Sequence, residues 1–122
     1  MTRLVVADDD RELLDMLVLL LEELDHEVLA VGRTGHEAVA AAERQRPDVV
    51  LMDLRMPEMS GIEAAAVLRE SMPELPVILL SAYDDPGLQE RAAAAGVNAY
   101  LIKGCSAQSL NTAVQQAVRS TA

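Results

Sequence analysis

The chain contains neither Phe nor Trp, and its only aromatics are Tyr83 and Tyr100. Its interior must therefore be aliphatic, filled by Leu, Val, Ile, Ala and Met, and a hydrophobic content of 51% is enough to build one. Disulfides are excluded within the chain, because Cys105 is the single cysteine, and that usage fits a reducing cytoplasm. Basic residues are scarce: Lys and Arg number 10 against 20 Asp and Glu, a formal charge of −10. That balance argues against direct binding to nucleic acid or to an anionic membrane, since both need clustered cations. Long apolar runs are missing too. The longest, residues 16–21, is far too short to span a bilayer. No secretory leader is expected, because the opening apolar run reaches Ala7 and meets three aspartates. At 122 residues the chain fits one compact domain, 1–122.

What is present is an alternation. Apolar β-type runs at 4–7, 28–31, 49–52, 77–80 and 99–102 are separated by segments of helical spacing. The first helix is expected over 11–25, with an apolar stripe at 13, 14, 17, 20, 21 and 24 and Asp10 as its N-cap. Thr34 caps a second helix that Pro47 stops, and Ser60 caps a third over 61–71. Asp85-Pro86 opens a short Ala-rich fourth helix closed by Gly96. Ser106 caps the fifth, which runs to about residue 119. Strands alternating with helices imply an α/β, doubly wound parallel sheet with helices on both faces. The third strand is apolar at every residue, as expected of a central strand.

In such sheets chemistry gathers outside the carboxyl ends of the strands. Those positions hold Asp8-Asp9-Asp10 after the first strand, Asp53 after the third, Ser81 after the fourth and Lys103 after the fifth. Alone, each has a plainer role as a helix cap, turn former or solvated charge, and Asp10 is assigned to capping. Together they are harder to explain that way. Crowded carboxylates repel unless a cation sits among them. An all-oxygen ligand set of high charge suits Mg²⁺ before Zn²⁺. A free carboxylate can attack phosphorus, while a metal and Lys103 neutralise the transferring phosphoryl group. Ser81 can donate to a phosphoryl oxygen.

On these residues the chain resembles the receiver domain of bacterial two-component response regulators, the chemotaxis-regulator-like family. Val5-Val6-Ala7-Asp8-Asp9 is similar to the acidic turn that holds Mg²⁺. Val50-Leu51-Met52-Asp53-Leu54-Arg55-Met56-Pro57, followed by Ser60-Gly61, is similar to the phosphoacceptor strand and loop. Leu80-Ser81-Ala82 resembles the hydroxyl position, and Ala99-Tyr100-Leu101-Ile102-Lys103 the lysine strand. The resemblance implies a flavodoxin-like receiver fold with five strands in the order 2-1-3-4-5 and five helices. It also implies Asp53 as phosphoacceptor nucleophile, with Ser81 and Lys103 gripping the phosphoryl group. Mg²⁺ would be held by Asp8, Asp9, Asp53 and the Arg55 backbone carbonyl. Ser81 and Tyr100 would form the switch pair. Such a domain catalyses only its own phosphorylation and dephosphorylation. Its partner would be a sensor histidine kinase or phosphotransfer protein.

Several positions carry further expectations. Gly104 stands where many receivers have proline after a cis peptide, so a different turn or a looser loop is expected. Arg55 and Tyr83 flank the phosphate's approach and are expected to control access of water. Cys105 is a bystander, and His26 and His36 are expected at the surface without partners. The fourth helix and the loop before it, 83–87, should be the most mobile part. Gln108, Asn111, Gln115 and Gln116 give the last helix a neutral polar face, either a self-association surface for a homodimer or simply solvated. The Lys103-Gly104 junction and the Ala-rich helices lean toward NarL/FixJ-type receivers, which are usually followed by a DNA-binding domain; the alternatives are a stand-alone receiver or a degenerate one acting as a scaffold. A dehalogenase-type phosphatase would want an acid at position 55, which is Arg, and a flavodoxin-type carrier would not place three aspartates where a flavin phosphate binds.

Overall fold

The structure, a computed structural model, describes residues 1–119. Ten elements alternate: β1 (Arg3–Ala7), α1 (Arg11–Glu23), β2 (Glu27–Gly32), α2 (Gly35–Gln45), β3 (Val49–Asp53), α3 (Gly61–Ser71), β4 (Val77–Ser81), α4 (Pro86–Ala94), β5 (Ala99–Ile102) and α5 (Ala107–Arg119). The strands form one parallel sheet in the order β2-β1-β3-β4-β5. The expected doubly wound architecture and strand order are therefore both found.

Two-residue periodicity along each strand sorts the core into two layers. Val5, Ala7, Val50, Met52, Val77 and Leu79 face α2, α3 and α4, whose buried residues there are mostly alanines. Leu4, Val6, Val49, Leu51, Ile78 and Leu80 face α1 and α5, which contribute Leu14, Leu17, Leu21, Leu110 and Val114. Strands β3 and β4 are buried at every residue, so anything at their carboxyl ends starts from a dry floor. Among the described residues, no helix is long and apolar enough to cross a membrane.

Capping follows the expected residues. Asp10 accepts from the backbone N–H groups of Glu12 and Leu13, and Thr34 accepts from that of Glu37. Ser60 and Glu63 form a reciprocal capping box on α3. Asp85 caps α4 with Pro86 at its first position.

Helix α1 stops earlier than its apolar pattern implies. Asp25 takes a left-handed φ of 66°, its N–H donates to the Glu22 carbonyl, and the His26 N–H donates to that of Leu21. This closes the helix in a Schellman motif before the stripe runs out. The same turn corrects the expectation for His26. Rather than lying at the surface, His26 is buried, with Nε2 2.6 Å from Asn111 Oδ1 on α5 and Nδ1 without a hydrogen-bond partner. Asn111 thus points inward to a partner and is not part of an open polar face. His36 is exposed, as expected.

Candidate functional site

The register of the parallel sheet assembles the site. Ala7 pairs with Met52, which sets the next residues, Asp8 and Asp53, side by side at the ends of β1 and β3. Asp53 pairs with Leu80, and Ser81 pairs with Ile102, so Ser81 and Lys103 lie one step further out. Helix α3 starts tight against this corner: a Cβ on Gly61 would lie 2.4 Å from the Asp53 carbonyl oxygen.

Lys103 Nζ sits 3.2 Å from Asp53 Oδ2 and 3.3 Å from Asp8 Oδ2. Asp8 is fully buried; its Oδ1 accepts from the Asp10 N–H at 2.9 Å, while Oδ2 has no hydrogen bond, Lys103 being near enough for charge attraction but not aligned. Asp9 is exposed, yet a carboxylate oxygen from each of Asp8, Asp9 and Asp53 lies within 4.8 Å of the others. Burial, reinforced by the neighbouring Asp8 charge, raises the Asp53 carboxyl to about 6 despite the pull of Lys103 and the Arg55 backbone. For Lys103, burial works against the charge, but Asp53 and Asp8 outweigh it and raise the ammonium above its ordinary value.

The structure therefore brings together Asp8, Asp9, Asp53 and Lys103. Ser81 is adjacent and buried, but its hydroxyl is engaged elsewhere. Its Oγ accepts from the Tyr83 N–H at 3.0 Å and donates to the Tyr83 carbonyl at 3.3 Å. Tyr100 donates its hydroxyl to that same carbonyl at 2.7 Å. The main-chain carbonyl of Tyr83 is thus shared by both residues of the expected switch pair. Sequence reasoning missed it, because a backbone acceptor has no residue-type signature. Arg55 lies over the Tyr83 ring, 4.8 Å from its centre, so the two flanking residues form a cation–π pair beside the pocket.

The turn after β5 is of a different kind from a cis-proline turn. No peptide bond among the described residues is cis. The Cys105 N–H donates to the Ile102 carbonyl at 3.1 Å, closing a four-residue turn with Gly104 third at φ 92°, the position where a type II turn needs glycine. Cys105 is exposed and free.

The three carboxylates fit a hard divalent cation. Asp8 Oδ2 is a buried oxygen lacking a hydrogen bond, burial and the Asp8 charge disfavour the ionised form of Asp53 when no cation is present, and all candidate donors are oxygens.

A parallel five-stranded sheet with acids at the ends of β1 and β3 and an ammonium after β5 defines an α/β domain of the receiver class. Comparison with known proteins agrees. The model of the response regulator receiver domain matches residues 4–115, and the chain belongs to that family. It is 38% identical over 117 residues to the transcriptional regulatory protein LnrK of Bacillus subtilis, covering 93% of this chain and 52% of that protein. The chain thus spans about half the length of that relative. The signal receiver domain of the response regulator NarL from Mycobacterium tuberculosis superposes with a TM-score of 0.93 at 29% identity, covering 97% of this chain and 96% of that one. The receiver domain of the sensor histidine kinase PA1611 from Pseudomonas aeruginosa, solved with a magnesium ion coordinated in its active site cleft, gives 0.87 at 30% identity over 97% and 98%.

Proposed function

We propose that this receiver is phosphorylated on Asp53 and that the change is reported through Ser81, Tyr100 and the surface of α4, β5 and α5. The observation that carries this is the geometry at the end of β3: a buried Asp53 carboxyl beside Asp8, the two sharing the single Lys103 ammonium at 3.2 Å and 3.3 Å. A divalent cation among these carboxylates relieves their mutual repulsion and, with Lys103, offsets the charge that an acyl phosphate on Asp53 adds.

Asp8, Asp9, Asp53 and the Arg55 backbone carbonyl would hold Mg²⁺, a role supported by the oxygen cluster and by the magnesium-bound neighbour. When bound, the ion neutralises charge on the transferring phosphoryl oxygens. Asp53 attacks the phosphorus of a phosphohistidine on a sensor kinase or phosphotransfer protein. An O–P bond forms as the P–N bond breaks, and the electron pair leaves with the imidazole. Lys103 stays beside the new acyl phosphate as its fixed cation. Ser81 leaves the Tyr83 backbone to donate to a phosphoryl oxygen, which removes one of the two hydroxyls on the Tyr83 carbonyl and frees that loop to re-pack with Tyr100. Arg55 and Tyr83 screen the site from water. The domain is a signalling phosphoacceptor, acting on no substrate beyond its own phosphorylation and dephosphorylation.

The output we infer is transcriptional and cytoplasmic, with homodimerisation on the switched surface. It is supported by similarity to a transcriptional regulatory protein about twice as long. The test is intact mass after incubation with acetyl phosphate and Mg²⁺. Wild type should gain one phosphoryl group and Asp53→Asn none. No adduct on wild type, with no Mg²⁺ binding, would leave a degenerate receiver that acts as a scaffold.

A further inference from the structure

Helix α4 is weakly rooted. It is the shortest helix, with Ala92 its one fully buried residue. Its N-terminal bonds are local: Asp85 caps the N–H groups of Gly87 and Leu88, and Gln89 reaches Asp84. Among the described residues, a single hydrogen bond crosses to α4 from another element. Arg69, in the last turn of α3, donates from Nη1 to the Ala94 carbonyl at 3.0 Å. Ala94 is the final helical residue, so that carbonyl belongs to the set a helix leaves unpaired, and a guanidinium there also complements the helix dipole.

The path of the arginine is fixed as well. A Cβ on Gly96 would lie 2.8 Å from Arg69 Cδ, so the side chain crosses directly over the glycine that ends α4. Gly96 also has φ 95°, with the Val97 N–H donating to Ala92 and the Gly96 N–H to Ala93. The residue that terminates the helix is therefore the one that leaves room for the side chain anchoring it. At the opposite end, the loop entering α4 is tied by Tyr100 to the Tyr83 carbonyl.

We infer that Arg69 is a positioning residue that anchors the C-terminal end of α4 and thereby sets the cost of moving that helix when the site changes state. The Ser81–Tyr83–Tyr100 contacts would release one end of α4; Arg69 holds the other. The anchor itself follows from the geometry; its consequence for switching rests on the phosphoacceptor reading proposed above. A looser α4 makes the alternative state less uphill, and a two-state element responds in proportion to that difference.

Two readouts test this on the whole chain. Hydrogen exchange of the unphosphorylated protein compares wild type, Arg69→Met, which keeps the apolar stem, and Arg69→Lys, which keeps one charged donor. Exchange across residues 86–97 should quicken on the order of five-fold in Arg69→Met, the factor one ordinary hydrogen bond represents. Segments 49–53 and 61–68 should be unchanged, and Arg69→Lys should recover part of the protection. Adduct formation with acetyl phosphate and Mg²⁺ should quicken in Arg69→Met by a comparable factor. Unchanged exchange in α4, or equal loosening of every element, would overturn the anchor. Equal rates of adduct formation in wild type and Arg69→Met would overturn its part in switching. An absence of adduct on wild type would instead sink the phosphoacceptor reading, with exchange still deciding the anchor.

Discussion

Replacing Asp53 by asparagine should make the metal-free protein more stable, although it removes the partner of a salt bridge. The carboxyl is raised from 3.8 to about 6, chiefly by burial and then by Asp8, with the pull of Lys103 already included. A shift of roughly 2 units corresponds to about 3 kcal/mol of preference for the protonated form in the folded state. Because the folded pKa is the higher one, this contribution to stability is fully present below pH 3.8 and is lost as pH rises through about 6. Asparagine stays neutral throughout and avoids the loss, while Lys103 keeps Asp8 as a partner. Urea unfolding followed by circular dichroism, in EDTA, should therefore place Asp53→Asn above wild type by about 1–3 kcal/mol at pH 7.5. The gap should shrink toward zero near pH 4. Adding Mg²⁺ should close it at pH 7.5 by stabilising wild type in proportion to occupancy. A variant no more stable than wild type at pH 7.5 without metal, or a gap independent of pH, would refute the electrostatic account of this site.

Other consequences are as sharp. Gly104→Ala should lower stability by about 1 kcal/mol in urea melts, from backbone strain at φ 92° alone, because nothing lies within 4 Å of the added methyl. A double-mutant cycle of His26→Ala and Asn111→Ala should show coupling of about 1 kcal/mol between the α1–β2 turn and α5; additive losses would mean the 2.6 Å contact contributes nothing. Lys103 is the chain's only lysine, so after amine-selective acetylation the acetylated peptide spanning it, separate from the N-terminal peptide, reports on its reactivity, and Asp53→Asn should speed that labelling at pH 8 by weakening the charges that raise its pKa. Tyr83→Ala should shorten the life of the phosphorylated form by about two- to five-fold, the range expected for losing an exposed cation–π screen with Arg55; an unchanged lifetime would relieve that pair of any part in excluding water.

The parts of the molecule that could be read from residue order are those where composition changes abruptly. Strands β3 and β4 are apolar up to their last residue, and that first polar residue, Asp53 or Ser81, is where chemistry begins on the dry floor. Caps were legible for the same reason, since Asp10, Thr34, Ser60 and Asp85 each precede a helical stripe. What was hidden depends on chain direction rather than residue type. His26 looks like a loop residue until Asp25 turns left-handed and swings it beneath α5, toward an asparagine 85 positions away. The Tyr83 carbonyl has no letter in the sequence at all, and its importance emerges only when Ser81 and Tyr100 converge on it. Arg69 carries no signal in the sequence beyond its place in the last turn of α3, and only the packing of α3 beside α4 turns it toward a second helix.

The choice of cation at the centre of the site has its own logic. Of ten basic residues, nine are arginines, and the one lysine is Lys103. An ammonium is a compact point charge that can sit 3.2 Å and 3.3 Å from two different carboxylates at once. A guanidinium presents a planar fork suited to gripping one carboxylate through two bonds. In this pocket such a fork would favour either Asp53 or Asp8, and its greater bulk would compete for the space that a metal and a phosphoryl group need. Lys103→Arg preserves the charge but not the sharing. It should therefore impair adduct formation on Asp53 nearly as much as Lys103→Met does, in contrast to the partial rescue by charge expected at the surface site of Arg69. The two positions separate a cation that must be divided between partners from one that needs only to reach a single carbonyl.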